Sequence, residues 1–153
     1  MVFKSTLIAV VGVLLIAQGA AARTAAGLVG AWERISMTNA RGEAAKPEPA
    51  FLIFSDNGYF AQSVTPAGRP KVAKPLKELT RDELVARLEG VSARFGAYTV
   101  QGDRLTRRNI AHLEPAKEGA QETQIFRLQR DVLILSTPGE GGEVRFERMK
   151  PGG

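Results

Sequence analysis

The chain offers few residues that could catalyse a reaction. It contains one histidine and no cysteine, so a thiol nucleophile and a metal site built from thiolates or several histidines are both excluded. A serine hydrolase triad would have to use His112, which lies at the end of a predicted strand beside a proline-containing loop. No serine lies in the Gly-x-Ser-x-Gly turn of α/β-hydrolases. We therefore predict no catalytic residue, no metal and no cofactor.

The acidic residues also have local explanations. Asp56, Asp103 and Asp131 lie in predicted hairpin turns, where aspartate hydrogen-bonds nearby backbone amides. Asp82 and Glu83 lie in the first turn of a predicted helix, where the helix dipole favours negative charge. None of them forms a convergent pair for general acid–base catalysis.

The formal net charge is +5 at pH 7, which weakly favours anionic partners. The basic residues form no continuous block, and no aromatic residues lie between them as on a nucleic-acid stacking surface. We therefore predict no binding to nucleic acid.

Residues 1–22 have the pattern of a secretory signal peptide. Lys4 precedes the apolar run 7–16, and three alanines end the segment at Ala22. A membrane anchor is the alternative, but a spanning helix needs about 20 strongly apolar residues. We expect cleavage after Ala22, which leaves a domain over 23–153 without a stable membrane anchor, in the periplasm or outside the cell.

The rest of the chain reads as short strands joined mainly by tight turns. The strand-like segments are 32–38, 51–54, 59–64, 95–100, 105–112, 122–129, 132–136 and 144–149. A long antiparallel sheet leaves two reactive edges unless it closes on itself. Closure would bring Trp32 next to Arg148, and we predict that this guanidinium stacks on the indole and closes one end of a barrel.

One helix is predicted over 81–89, between the third and fourth strands. Thr80 and Glu83 have the spacing of a capping box, and Gly90 is placed to end the helix. Leu84 and Leu88 share one face, which we expect to pack on the barrel because so short a helix is unstable alone.

Four motifs occur in order along the chain. Residues 28–32 read Leu-Val-Gly-Ala-Trp, 54–59 read Phe-Ser-Asp-Asn-Gly-Tyr, 96–100 read Gly-Ala-Tyr-Thr-Val and 146–148 read Phe-Glu-Arg. Together they resemble the bacterial lipocalin-like domain family, a branch of the calycin barrels. The resemblance covers residues 28–149 and implies an all-β, eight-stranded antiparallel up-and-down barrel with a possible cavity. It implies no single activity.

The chain departs from this family at one point. Members often carry a histidine in the strand after the third motif. Here 106–109 read Thr-Arg-Arg-Asn, and the only histidine, His112, lies later. A role carried by that histidine is therefore not transferred to this chain.

Alternation along the strands predicts which side chains face the barrel interior. The predicted ligand contacts on that face are Arg34, Tyr98, Phe126 and Leu133. An arginine there must be paired, hydrated or bound to an anion. A one-residue slip would instead expose Arg34 and bury Ile35.

Three functions are compatible with these residues. The first is an exported protein that binds a small hydrophobic or amphipathic, possibly anionic, molecule inside the barrel. The second is a structural or protein-interaction barrel whose core is filled by its own side chains. The third is an isomerase or cyclase that uses the cavity, for which Tyr98 is the best candidate residue. Ligand identity and oligomeric state do not follow from the sequence.

Overall fold

A single antiparallel sheet dominates the structure, a computed structural model that describes residues 25–69, 71 and 74–150. The predicted signal peptide, 1–22, lies outside these residues. The sheet contains β1 (Gly30–Thr38), β2 (Ala44–Ala45), β3 (Ala50–Phe54), β4 (Tyr59–Val64), β5 (Ser92–Gln101), β6 (Arg104–His112), β7 (Gln121–Gln129), β8 (Val132–Ser136) and β9 (Val144–Arg148). Helix α1 spans Arg81–Leu88, and residues 25–28, just before β1, are also helical. In the described part of the chain no helix is long and apolar enough to cross a membrane.

The sheet closes into a barrel. From β3 to β9 each strand pairs with the next, and β1 pairs with both β3 and β9. The two-residue β2 only extends the end of β1. The predicted eight-stranded antiparallel barrel, with one short helix between its third and fourth long strands, is therefore confirmed.

The two ends of the barrel differ in the length of their connections. Short hairpins join β3 to β4, β5 to β6 and β7 to β8 at one end, which we call the closed end. The longer connections, 39–49, 65–91, 113–120 and 137–143, all lie at the other end, which we call the open end. Helix α1 belongs to the second of these longer connections.

Apolar side chains fill the closed-end half of the barrel. On β3 the buried Ala50, Leu52 and Phe54 alternate with the exposed Phe51 and Ile53, as expected when one face of a strand meets the core. The core cluster is made up of Leu28, Trp32, Ala50, Leu52, Phe54, Phe60, Tyr98, Leu105, Phe126, Leu133, Leu135 and Phe146.

Two irregularities change which side chains face inward. Arg34 lies opposite the buried Phe146, so it faces the interior. The ladder then shifts, and Ser36 lies opposite the exposed Arg145. Simple alternation along β1 would place Ser36 inward together with Arg34, and it fails here because a bulge lies between them. A second bulge interrupts the β5–β6 ladder beside Gly96.

Helix α1 begins where the sequence predicted. Thr80 Oγ1 accepts a hydrogen bond from the Glu83 amide at 3.3 Å, and the Glu83 carboxylate accepts one from the Thr80 amide at 2.8 Å. Its apolar side chains are not covered, however: Leu84 is 36% exposed and Leu88 43%. The expected packing of these leucines on the barrel was wrong, because a capping box fixes where a helix begins but does not bring a barrel wall against its face.

Candidate functional site

Two arginines lie inside the barrel near its open end. Arg94 on β5 is opposite Gln62 of β4, and Arg107 on β6 is opposite Glu122 of β7. Directly opposed residues of an antiparallel ladder share one face of the sheet. The ladders therefore bring these four side chains together from four neighbouring strands.

A dense set of hydrogen bonds joins these groups. Glu122 Oε2 accepts from Arg94 Nη1 at 2.9 Å and from Arg107 Nη2 at 3.1 Å. Gln62 Oε1 accepts from Arg94 Nε at 2.8 Å and from Arg107 Nη1 at 3.1 Å. Gln124 Oε1 accepts from Arg107 Nη2 at 2.6 Å. We call these five residues the arginine cluster; its two guanidinium groups face a single carboxylate.

An aromatic ring supports the cluster from the core side. The guanidinium carbons of Arg94 and Arg107 lie 5.7 and 5.5 Å from the centre of the Phe60 ring, within the range of cation–π attraction. Gly96 leaves room for that ring, since a Cβ atom there would lie 2.9 Å from Phe60 Cε1. The same Cβ atom would lie 2.0 Å from the carbonyl oxygen of Arg108.

Arg107 is the most deeply buried charge of the cluster, with a side chain only 2% exposed. The pKa of Arg107 is lowered to about 10, mainly by burial and then by the positive charge of Arg94, while Glu122 partly opposes both effects. Arg107 remains protonated at neutral pH. Its Nε is buried and makes no hydrogen bond to any described residue. An unpaired buried donor costs about 1–3 kcal/mol, so this N–H could bind an acceptor.

A cavity of about 520 Å³ opens next to the cluster. Gln62, Arg94 and Glu122 line it, together with His112 and Asn109. Because Gln62 and Glu122 line the cavity and also accept hydrogen bonds from Arg107, that arginine lies directly behind the cavity wall.

The connection between β6 and β7 forms one wall of this cavity. Asn109 Nδ2 donates to the Lys117 carbonyl oxygen at 3.0 Å, and the Asn109 amide donates to the Ala120 carbonyl oxygen at 3.0 Å. His112 Nδ1 accepts from the Glu114 amide at 2.9 Å. Hydrogen bonds from Asn109 to backbone carbonyl oxygens thus fix this connection against the barrel, and His112 fixes the backbone at Glu114. Among the described residues no group of acidic or histidine side chains is arranged to hold a metal ion.

Comparison with known proteins identifies the family. The model of the lipocalin-like domain matches residues 29–150. The chain belongs to the lipocalin-like domain family. The resemblance drawn from the four sequence motifs is therefore confirmed. No curated protein matches the chain.

Solved structures agree with the fold of this lipocalin-like domain. It is similar to a lipocalin-like protein from Bacteroides uniformis, with a TM-score of 0.53 and 17% identity over 80% of this chain and 99% of that one. It is also similar to an uncharacterized protein from Bacteroides eggerthii, with a TM-score of 0.51 and 12% identity over 80% of this chain and 99% of that one. These similarities show a shared fold.

A second concavity of the lipocalin-like domain lies on the outside of the barrel. This outer groove has a volume of about 440 Å³ and is lined by Phe51, Ile53, Ala61, Ala93 and Phe95 among others. Most of its lining is apolar, although Gln62 and Arg94 of the arginine cluster and His112 also border it. An apolar probe could bind in either place, so any binding experiment must distinguish the two.

The closed end is sealed by Trp32 and Arg148. The guanidinium carbon of Arg148 lies 4.2 Å from the centre of the Trp32 ring, and its Nη atoms donate to the carbonyl oxygens of Val29 and Gly27, each at 2.7 Å. Gly30 has a φ of +134°, and a Cβ atom there would lie 2.6 Å from Arg148 Nη1. The glycine of the Gly-x-Trp motif therefore allows the arginine to approach.

Arg34, a predicted ligand contact, faces inward but already has a partner. Its Nε donates to the carbonyl oxygen of Glu48 at 2.6 Å, and its Nη2 donates to the same atom. Burial lowers the pKa of Arg34, and the Glu48 carboxylate opposes that effect. This arginine therefore ties the start of β3 to β1.

The other predicted contacts lie in the core. Phe126 and Leu133 are buried, and the Tyr98 hydroxyl donates to the Ser55 carbonyl oxygen at 2.8 Å near the closed end. None of these three, nor Arg34, is among the residues lining the open-end cavity. Their contact with a ligand stays a prediction.

The arginine cluster was not found from the sequence. The alternation that predicts an inward Tyr98 also places Arg94 inward, four residues earlier on the same strand, and this signal was not used. Arg107 is harder to find, because Arg108 follows it directly and the sequence alone does not show which of the two faces inward.

Proposed function

We propose that this lipocalin-like domain binds a small amphipathic molecule in the cavity at the open end of its barrel. The observation that carries the proposal is the cavity itself. Its volume, about 520 Å³, falls within the range of roughly 300–1,000 Å³ that is usual for small-molecule pockets. Its lining combines the apolar Val64 and Ala120 with the polar Ser92 and Asn109.

The position of the cavity follows from the packing below it. The closed-end half of the barrel is filled by its own side chains, with Leu52, Leu105 and Leu133 fully buried. A guest there would have to displace close-packed apolar groups, which is costly. The ligand is therefore held nearer the open end than the sequence predicted.

Two neighbouring residues of β5 provide a matched test. Ser92 lies opposite Val64 and lines the cavity, whereas Ala93 lies opposite Ser63 and lines the outer groove. The affinity for N-phenyl-1-naphthylamine, a neutral fluorescent probe, is measured by fluorescence titration of wild type, Ser92→Phe and Ala93→Phe. A phenyl ring in the cavity should weaken binding about tenfold or more, because it occupies the space of the probe.

The control variant decides where the probe binds. Ala93→Phe should leave the affinity within about twofold of wild type, a change of less than about 0.5 kcal/mol. The opposite result, with Ala93→Phe weakening binding and Ser92→Phe leaving it unchanged, would place the probe in the outer groove and contradict the proposal. Thermal unfolding of both variants checks that each is folded.

A structural barrel with a filled core is the second candidate function. The packed closed-end half favours it, since eight-stranded barrels are narrow enough for side chains to fill. This function predicts no saturable probe binding that depends on Ser92.

We also propose that the protein is exported and acts in the periplasm or outside the cell. The support is the charged, apolar and small-residue pattern of residues 1–22. N-terminal sequencing of protein recovered outside the cytoplasm should begin at Arg23. A full-length chain that is extracted only with detergent would contradict this.

A further inference from the structure

We infer that the arginine cluster is an anion-binding site, and that the acidic head of an amphipathic organic anion displaces the carboxylate of Glu122 from it. The inference rests on the proposed function and adds the chemical class of the ligand. The head group would be a carboxylate, sulfonate or similar oxyanion, and the rest of the molecule would lie in the open-end cavity.

The first argument is the charge of the site. Arg94 and Arg107 both donate to the same oxygen, Oε2, of Glu122. Gln62 and Gln124 complete the cluster with neutral amides. Two cations and one anion leave an excess positive charge in a poorly solvated place, where charge pairing is stronger than in water.

The second argument is the unused donor of Arg107. Its Nη1 and Nη2 donate to Gln62, Glu122 and Gln124, while its Nε is buried and unpaired within the described residues. Guanidinium groups favour bidentate pairing with oxyanions. An oxyanion that replaces the Glu122 carboxylate can accept hydrogen bonds from both Nη2 and Nε of Arg107. It would therefore pair the donor that is left unpaired among the described residues.

The third argument is the unequal exposure of the partners. The side chain of Glu122 is 35% exposed, whereas those of Arg94 and Arg107 are 18% and 2% exposed. Glu122 also lines the cavity. It is therefore the member that can turn toward solvent and regain hydration, while the arginines stay in place under the cavity wall.

A purely structural ion pair would behave differently. If Glu122 served only to neutralise the arginines, removing its charge would destabilise the fold and would not improve binding of an anion. If Glu122 competes with the ligand, removing its charge strengthens anion binding. The two readings thus predict different outcomes for Glu122→Gln: no gain in anion affinity if the pair is only structural, and a gain if Glu122 competes with the ligand.

The experiment uses two fluorescent probes that differ by one sulfonate. 8-Anilinonaphthalene-1-sulfonate carries the charge, and N-phenyl-1-naphthylamine lacks it. Glu122→Gln should tighten sulfonate binding about tenfold, the effect of one charge-assisted hydrogen bond, and leave the neutral probe within about twofold. Arg107→Met should weaken sulfonate binding about tenfold or more and spare the neutral probe.

Two control variants test whether the effect is local. Glu118→Gln removes one negative charge from the connection between β6 and β7, and Arg108→Met removes one positive charge from the exposed residue next to Arg107. Each should change sulfonate affinity less than about threefold, because exposed charges are screened by water and salt. If Arg107→Met does not fold, Arg94→Met takes its place with the same expected loss.

The outcomes separate this inference from the proposed function. If the neutral probe binds in the cavity but Glu122→Gln binds the sulfonate no better than wild type, the inference is wrong and the proposed function stands. If neither probe binds in a manner that depends on Ser92, the proposed function fails. A tenfold gain with Glu122→Gln and a loss with Arg107→Met support the inference.

Discussion

Arg107 and Glu122 lie directly opposite each other on β6 and β7, and Arg107 Nη2 donates to Glu122 Oε2 at 3.1 Å. The arginine is almost fully buried, whereas a third of the glutamate side chain is exposed to the cavity. Burying an ion pair in a barrel interior carries a large desolvation cost. Packed apolar residues in its place often give a fold of equal or greater stability. This pair is therefore best understood together with the cavity that it borders.

Replacement of Trp32 by alanine should destabilise the domain by about 3–5 kcal/mol, the usual range for a buried aromatic residue. Trp32 is fully buried, and its Nε1 donates to the Leu28 carbonyl oxygen at 2.8 Å. Urea unfolding followed by circular dichroism measures the change. In wild type, acrylamide should barely quench the fluorescence of Trp32; free quenching would contradict the sealed closed end.

Loss of the Arg148 guanidinium should also weaken the closed end. Arg148→Met removes two hydrogen bonds to backbone carbonyl oxygens, and hydrogen bonds to charged groups contribute about 1.5–3 kcal/mol each. Because the Arg148 side chain is 31% exposed and water weakens these bonds, we expect a combined loss of about 2–4 kcal/mol, less than the sum for two buried bonds, and faster quenching of Trp32. Arg145→Met is the control, because Arg145 is exposed and its ion pair with Glu143 is worth at most about 1 kcal/mol. Equal losses from the two variants would argue against the closure.

A methyl group at Gly96 should disturb the arginine cluster from a distance. Gly96→Ala forces a Cβ atom toward the Arg108 backbone and the Phe60 ring, and overpacking of this kind costs about 1–3 kcal/mol. It should also weaken sulfonate-probe binding, because Phe60 supports both arginines. Thr99→Ala, an exposed change on the same strand, should cost less than about 0.5 kcal/mol. If Gly96→Ala loses as little stability as Thr99→Ala, the space around position 96 is not restricted by Arg108 and Phe60.

The sequence predicted the fold well because that prediction rested on local signals. Tight turns and alternating strands give the order of pairing, and closure follows from it, as the Trp32–Arg148 contact shows. The arginine cluster was harder to predict from the sequence, because strand register decides which side chains face inward. The bulge beside Gly96 and the adjacent Arg107 and Arg108 leave two possible inward faces. Only the pairing with Glu122 identifies Arg107 as the buried one.

The phenol of Tyr98 should make the fold sensitive to alkali. Burial raises the pKa of Tyr98, and the negative charge of Asp56 raises it further. The folded state therefore favours the neutral phenol. That contribution to stability is complete below the ordinary tyrosine pKa of about 10 and is lost as the pH rises through the higher folded-state value.

The chain has two tyrosines, so a Tyr59→Phe variant reports Tyr98 alone. Its phenolate absorbance should appear with a midpoint above about 10. In urea unfolding at several alkaline pH values, Tyr98→Phe should remove the corresponding part of the pH dependence. A midpoint at or below that value would contradict the burial of this hydroxyl.

The uncovered face of α1 should tolerate a charge. Leu84→Asp should cost less than about 1 kcal/mol, because Leu84 is partly exposed and no core contact is lost. Leu52→Ala, at a fully buried core position, should cost about 2–5 kcal/mol. If Leu84→Asp unfolds the domain to the same extent, the leucine has a tertiary contact in solution.

The arginine side-chain Nε–H resonances provide the most direct test of the anion-binding site. Buried guanidinium protons exchange slowly with water, so Arg107 should be visible by NMR and assignable from the Arg107→Met spectrum. On titration with 8-anilinonaphthalene-1-sulfonate, the Nε–H signals of Arg107 and Arg94 should shift, while that of Arg148, which is partly buried at the closed end, should stay unchanged. Saturable binding of the sulfonate probe with no shift at Arg107 or Arg94 would contradict the account.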